Sequence, residues 1–335
     1  MPVYNEPLWV GESLACAARA ARRSGFDDLE IVVVDDGSDP ATQDALLAAG
    51  THEVPMRVIR QVNAGRFVAR RVGLEAARGD LVLLVDARVF LAPDALRFVH
   101  ERLDGTLPIW NGHVEIDVEG NPYARFWRVI TDFAFRRYFA DPRTTSFGLE
   151  EFDLFPKGTT CFIAPRVQLL EAIAAFETRY SDLRDVNDDT ALIRLLAARQ
   201  RINISPHFAC LYRSRDAYRP FLRHAFHRGT VFVDAYAHPK TRFFGPVLAF
   251  YPVTLASAAI AVRRPRLGAL GALAAPLAFA AGALALRARR EDVRAVAWVG
   301  PSWLVAFAAG MWRGLWLLLR GWAARGRSVD VRSKT

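Results

Sequence analysis

Two short runs of unbroken apolar residues mark the first quarter of the chain. Segment 29–36 (LEIVVVDD) is β-branched through its centre and ends in Asp35 and Asp36, and segment 80–86 (DLVLLVD) repeats the pattern and ends in Asp86. Apolar runs without polar alternation suit strands buried on both faces of a parallel sheet. Segments 13–24, 39–50 and 64–78 have helical spacing, and 56–62 (MRVIRQV) reads as a further short strand. Alternating helix and buried strand predicts an α/β sheet with right-handed connections and function at the strands' carboxyl ends. Asp35, Asp36 and Asp86 sit at such ends. A carboxylate there also serves as a helix N-cap, the role assigned to Asp39.

From about residue 108 to 158 the pattern is less regular and more aromatic, with Trp110, Tyr123, Phe126, Trp127, Phe133, Phe135 and Tyr138 expected in core or lid. Helices are predicted again over 166–176 and 189–199, then a strand over 201–205. After Lys240 the character changes. Stretches 243–262 and 267–286 carry no charge, and 295–319 is interrupted only by Arg313. About 20 apolar residues span a bilayer core. Arg263, Arg264 and Arg266 between the first two, and Trp298, Trp303, Trp312 and Trp316 in the third, suit the membrane interface. Every connecting loop is Arg-rich, so charge chooses no orientation, and the third stretch either crosses or lies along the interface.

The chain has 335 residues and a net charge of +9. Residues 1–240 hold 30 basic and 32 acidic side chains, a net of −2, whereas 241–335 hold 14 and 3, a net of +11. The basic excess belongs to the apolar tail, which argues for a membrane-attached enzyme and against nucleic acid as a partner. Cys16, Cys161 and Cys210 are widely spaced, with no CxxC pair. That excludes a disulfide framework or zinc site and fits a reducing, cytosolic side. No basic segment followed by an apolar one opens the chain, so no signal peptide is read.

Pro2-Val3-Tyr4-Asn5-Glu6 and Val32-Val33-Val34-Asp35-Asp36-Gly37-Ser38-Asp39 resemble the two opening motifs of family 2 glycosyltransferases. Asn63-Ala64-Gly65-Arg66, with Ala69-Arg70 and Gly73, is similar to that family's Asn-x-Gly and Ala-Arg-Asn-x-Gly stretch. Leu83-Leu84-Val85-Asp86-Ala87-Arg88 falls at its Asp-x-Asp motif, with Pro93-Asp94-Ala95-Leu96 as sequel. Asp188-Asp189-Thr190 resembles the Glu-Asp that opens the late catalytic helix, and 221–229 (FLRHAFHRG) looks like the pre-membrane segment of anchored members. The resemblance covers about residues 1–235. It implies a GT-A-like, Rossmann-related α/β fold, with a mixed, mainly parallel sheet flanked by helices and followed by transmembrane helices.

The resemblance also assigns roles. Tyr4, Glu6, Asp36, Arg66, Arg70, Asp86 and Arg88 would bind a nucleotide-sugar donor. Tyr4 would stack on the base, and Asp36 would accept from its ring N–H. Arg66 and Arg70 would touch phosphate or base, or stand solvated on the surface, and Gly65 would allow a tight turn. Asp189 would be the general base of an inverting transfer, with Asp188 as runner-up. Gly158, Thr159 and Thr160 would line the sugar and acceptor pocket. His224 and His227 are given no chemistry. In the family the Asp-x-Asp pair holds Mg²⁺ or Mn²⁺ across the diphosphate. Here the second Asp is Arg88, so a divalent cation is in doubt. Three readings stay open: Asp86 holds a weak ion or the ribose, Arg88 meets phosphate bidentately, or Arg88 pairs with Asp86 or another neighbour.

The expected organisation is a glycosyltransferase domain over 1–235, a membrane region over 236–322 with two or three helices, and a basic tail over 323–335. The expected activity moves a sugar onto a cell-envelope glycan or lipid-linked acceptor at the inner membrane, with the catalytic domain cytoplasmic. Membrane lipid is the further partner. No Gln-x-x-Arg-Trp motif follows the base, which favours single transfer over polymerisation. A catalytically silent nucleotide- or partner-binding member of a membrane assembly is the alternative. A Rossmann dehydrogenase or methyltransferase fits poorly without a GxGxxG after the first strand. The family places an apolar strand before the opening motif, whereas Met1 precedes Pro2 here. The preferred expectation is a start further upstream, because a missing central strand would open a sheet edge within the fold.

Overall fold

The computed structural model describes residues 1–50, 54–103, 108–239 and 241–332, with side chains as far as Trp322. Along the chain, β1 (Pro2–Val3), α1 (Val10–Arg22), β2 (Ile31–Asp35), α2 (Pro40–Ala48), β3 (Met56–Arg60) and α3 (Arg66–Ala76) come first. Next are β4 (Leu81–Val85), β5 (Val89–Leu91), α4 (Ala95–His100), β6 (Trp110–Ile116), α5 (Pro122–Ala134) and α6 (Arg136–Phe139). Then β7 (Thr145–Phe147), β8 (Cys161–Pro165), α7 (Arg166–Ala174), α8 (Asp188–Ala197) and β9 (Ile202–Tyr212) follow. Four long helices end the chain: α9 (Tyr218–Tyr236), α10 (Phe244–Arg263), α11 (Pro265–Ala285) and α12 (Arg290–Arg332).

These elements form two compact units that interleave in sequence. One comprises Met1–Asp117, Phe135–Phe176 and Asp188–Ser214; the other comprises Val118–Ala134, Glu177–Asn187 and Arg215–Thr335.

In the first unit, β1, β2 and β3 make a parallel three-stranded sheet, in register from Ile31 against Met56 to Asp35 against Arg60. The β-branched run of β2 explains its place, since Val33 and Val34 are wholly buried. Helix α2 starts where Asp39 caps it, its carboxylate accepting from Thr42 N at 2.9 Å, with Pro40 in the first turn. A second sheet runs β4-β8-β6-β9-β5, with β7 on β9. There only β6 and β9 pair in parallel, and the other pairings are antiparallel. Strand β9 is longer than its RINIS opening suggests. Pro206 has no N–H for the ladder, and the register slips there so that Gly112 faces Ser205 while His113 faces Ala209. Beyond the slip the strand resumes and pairs β5. Val85, Val89, Leu91, Phe98, Val99, Trp110, Ile163 and Phe208 build the core under this sheet.

In the second unit, the aromatic run after residue 118 is helix α5, and its Tyr123 and Phe126 pack with Phe221, Val296 and Val299. Its Arg125 and Arg128 hold buried Asp292 of α12 at 3.3 and 2.6 Å. Helices α9 and α12 touch backbone to backbone at Gly229 and Gly310. A side chain added at Gly310 would meet the Phe226 carbonyl, and Thr230 N at 3.0 Å. Arg313, the charge inside the third apolar stretch, pairs its two terminal nitrogens with Asp185 at 2.7 Å, which compensates its charge. Helix α11 leaves Leu273 and Leu277 74% and 72% exposed. Three helices, α10, α11 and α12 as far as Trp322, are long and apolar enough to cross a membrane. The side chains of the expected basic tail over 323–335 lie outside the described residues.

Candidate active site

Helix α3 brings Arg66 and Arg70 together, because residues four apart share a helix face. Gly65 caps that helix with a φ of 94°, a conformation a β-carbon resists. Asp36 fixes the turn. Its Oδ1 accepts from Gln61 Nε2 at 2.7 Å and Ala64 N at 2.8 Å, and its Oδ2 from Gly65 N at 2.9 Å. A carboxylate on these amides also suits the positive end of the helix dipole. Asp35 accepts from Ser38 N at 2.9 Å, so the paired acids at the tip of β2 hold the two loops that follow.

Arg70 is the hub. Its Nη1 donates to Asp188 Oδ2 at 2.6 Å and to Asp189 Oδ1 at 2.5 Å, and its Nη2 to Asp86 Oδ1 at 3.0 Å. The Arg70 side chain is 1% exposed, as is that of Asp188. Burial opposes the charge on Arg70, but Asp189, Asp188 and Asp86 outweigh it and push the guanidinium pKa further up. Arg66, with a side chain 43% exposed, adds a bond to Asp188 at 2.8 Å and lies 3.6 Å from Asp189. Arg70 is therefore no solvated surface residue, and the carboxylates at the start of α8 hold the end of Arg66 while much of its side chain stays in solvent. The two acids at that helix start differ. Both oxygens of Asp188 accept guanidinium bonds in the interior, whereas Asp189 keeps 22% of its side chain exposed.

The segment before β8 completes the cluster. Thr159 donates its hydroxyl to Asp189 Oδ1 in a very short bond. Asp86 N donates to the Thr160 carbonyl at 3.2 Å, and Gly158 N to Asn111 Oδ1 at 3.1 Å. Of these three, Thr159 therefore joins the acidic group, and its neighbours fasten it to β4 and β6. Tyr4 is 51% exposed. Arg88 reaches neither Asp86 nor Asp189. Its Nε donates to Glu6 at 2.7 Å, and its Nη1 lies 3.5 and 3.4 Å from the Arg213 and Ser214 carbonyls.

Asp86, Asp188, Asp189, Arg66, Arg70 and Thr159 thus meet, and Glu6 and Arg88 pair with each other. Sequence reasoning left open that Arg88 pairs with a neighbour without naming Glu6, and it missed the hub role of Arg70 and the part of Asn111, which is 2% exposed. The four-residue spacing of Arg66 and Arg70 was the available signal for the hub. Asn111 offered none.

With that geometry in view, the comparisons are direct. Residues 1–160 match Glycosyl transferase family 2. A stretch of 104 residues is 36% identical to the undecaprenyl-phosphate 4-deoxy-4-formamido-L-arabinose transferase of Pseudomonas paraeruginosa, covering 30% of each chain. The glycosyltransferase GlyG of Streptococcus pneumoniae is 22% identical over 221 residues, 64% of this chain and 70% of that one. The chain spans less than a third of the length of the curated relatives that it matches above 30% identity. Among solved structures, the mannosyltransferase PcManGT of Pyrobaculum calidifontis, in complex with GDP-Man and Mn²⁺, aligns with a TM-score of 0.56 at 20% identity. That alignment covers 94% of this chain and 85% of that one, and it shows a shared GT-A fold. Residues 1–160 thus carry a match to glycosyltransferase family 2.

Proposed function

We propose that the chain moves a sugar from a nucleotide-sugar donor to a cell-envelope glycan or lipid-linked acceptor with inversion at the sugar carbon, Asp189 acting as general base. The observation that carries the reading is the convergence of Asp86, Asp188 and Asp189 on Arg70. Asp188 is sealed by two guanidinium groups, so the reachable carboxylate, Asp189, takes the proton. Arg70 and Thr159 fix its Oδ1 and hence its direction of approach. In the step, the acceptor hydroxyl gives its proton to Asp189 and its oxygen bonds to the anomeric carbon. The bond from that carbon to the phosphate oxygen breaks, and the nucleoside diphosphate leaves with the electron pair. Tyr4 stacks on the base. Asp36 has one lone pair left on Oδ2 for a ring N–H.

A lipid-linked acceptor is supported by the three apolar helices and by the undecaprenyl-phosphate named in the Pseudomonas relative. A cytoplasmic catalytic domain at the inner membrane agrees with three free, buried cysteines. The test is donor turnover by the purified full chain in detergent, with polyprenyl-linked saccharides and glycan fragments, which attack through a hydroxyl, as acceptors. Asp189→Asn is expected to lower transfer by about 10²- to 10⁴-fold while nucleotide binding persists. An inverted anomeric product completes the expectation. Wild-type transfer by Asp189→Asn overturns the base assignment, and nucleotide binding with no turnover of any donor overturns the enzymatic reading.

A further inference from the structure

The resemblance implies Mg²⁺ or Mn²⁺ at the Asp-x-Asp position, and the residues there do not fit such an ion. Hard divalent cations take several oxygen ligands, usually with at least one or two carboxylates. Asp86 is the one acid left in the motif, and its Oδ1 is engaged by Arg70 at 3.0 Å. Position 88 offers a cation, and that cation occupies Glu6 at 2.7 Å. Among the described residues no three His, Cys, Asp or Glu side chains stand together as a metal-holding group.

We propose that this chain binds its nucleoside-diphosphate donor without a divalent cation, the Arg88 guanidinium meeting the diphosphate in the cation's place. The inference rests on the donor-binding reading above. Charge is the first argument. Exchanging an aspartate for an arginine changes the formal charge of a site by two units, which is the charge a divalent cation would bring. Posture is the second. Arg88 is held at Nε by Glu6 and approached at Nη1 by two carbonyl groups, while its Nη2 has no bonding partner among the described residues. Its side chain keeps 14% exposure. An arginine so held presents its remaining N–H edge without the loss of freedom that a loose side chain suffers on binding phosphate. Position is the third. Asp86 O accepts from Val89 N at 3.1 Å, a turn that sets Arg88 two residues past the acid at the tip of β4.

The experiment is calorimetric or thermal-shift titration of the full chain in detergent with UDP, GDP, CDP and dTDP, in EDTA and again in Mn²⁺ or Mg²⁺. The expected result is binding of at least one nucleotide with affinities within about twofold in the two conditions. Arg88→Gln then weakens it about tenfold or more in EDTA, the loss of a charge-assisted bond. Arg88→Asp, made alone and with Glu6→Gln to relieve the new repulsion, binds weakly in EDTA and regains affinity with Mn²⁺. Wild-type binding that requires the metal overturns the inference and leaves the donor reading standing. Unchanged affinity of Arg88→Gln in EDTA overturns it as well. Binding of no nucleotide under any condition removes the donor reading itself, so the two failures are distinct.

Discussion

Arg70 draws its partners from far along the chain: Asp86 is 16 residues away, and Asp188 and Asp189 are 118 and 119 away. That distance is why the acids at the strand tip and helix start were legible one by one while their shared cation was not. In sequence, Arg66 and Arg70 are two arginines on a mixed helix face, and such residues are normally solvated. The same blindness held for Asp36, whose place was predicted but whose three protein donors depend on the fold of 61–65. Removing a cation from a buried network strands its carboxylates. Arg70→Leu is therefore expected to cost about 3–5 kcal/mol, towards the lower figure because Asp86 and Asp189 keep side-chain exposures of 25% and 22%. Denaturant unfolding in detergent measures it. A midpoint equal to wild type would contradict the hub, and adding Asp188→Asn should recover part of the loss.

At the level of elements, apolar periodicity located β2, β4, α1, α3 and the membrane-length helices within a few residues, because burial is what writes that pattern. It understated β9, whose Pro206 looks like a strand end but sits at a register slip. It also ended the third apolar stretch at Leu319, before the more polar turns that carry α12 on to Arg332. The close meeting of α9 and α12 at glycines left no periodic trace either. There, a β-carbon on Gly310 has no room before the backbone of α9. Gly310→Ala must push the helices apart and is expected to cost about 1–3 kcal/mol. Thermal unfolding of the variant beside the wild type shows it, and an unchanged midpoint would mean that the helices are not packed backbone to backbone.

For the whole molecule, charge and hydropathy separated a slightly acidic N-terminal part from a basic, apolar one. Leucines exposed to the extent of Leu273 and Leu277 are unfavourable in water and at ease in hydrocarbon. The full chain is expected to sediment with membranes and to be released by detergent, but not by high salt or alkaline carbonate. Release by salt alone would show that its attachment is electrostatic. What the linear pattern could not show is that the units interleave, because α5 reads as an ordinary aromatic stretch of the first. That interleaving sets an order of events during synthesis. Arg128 leaves the ribosome 164 residues before Asp292, its partner, so the face of α5 that bears it must wait for that contact until α12 has begun to be made.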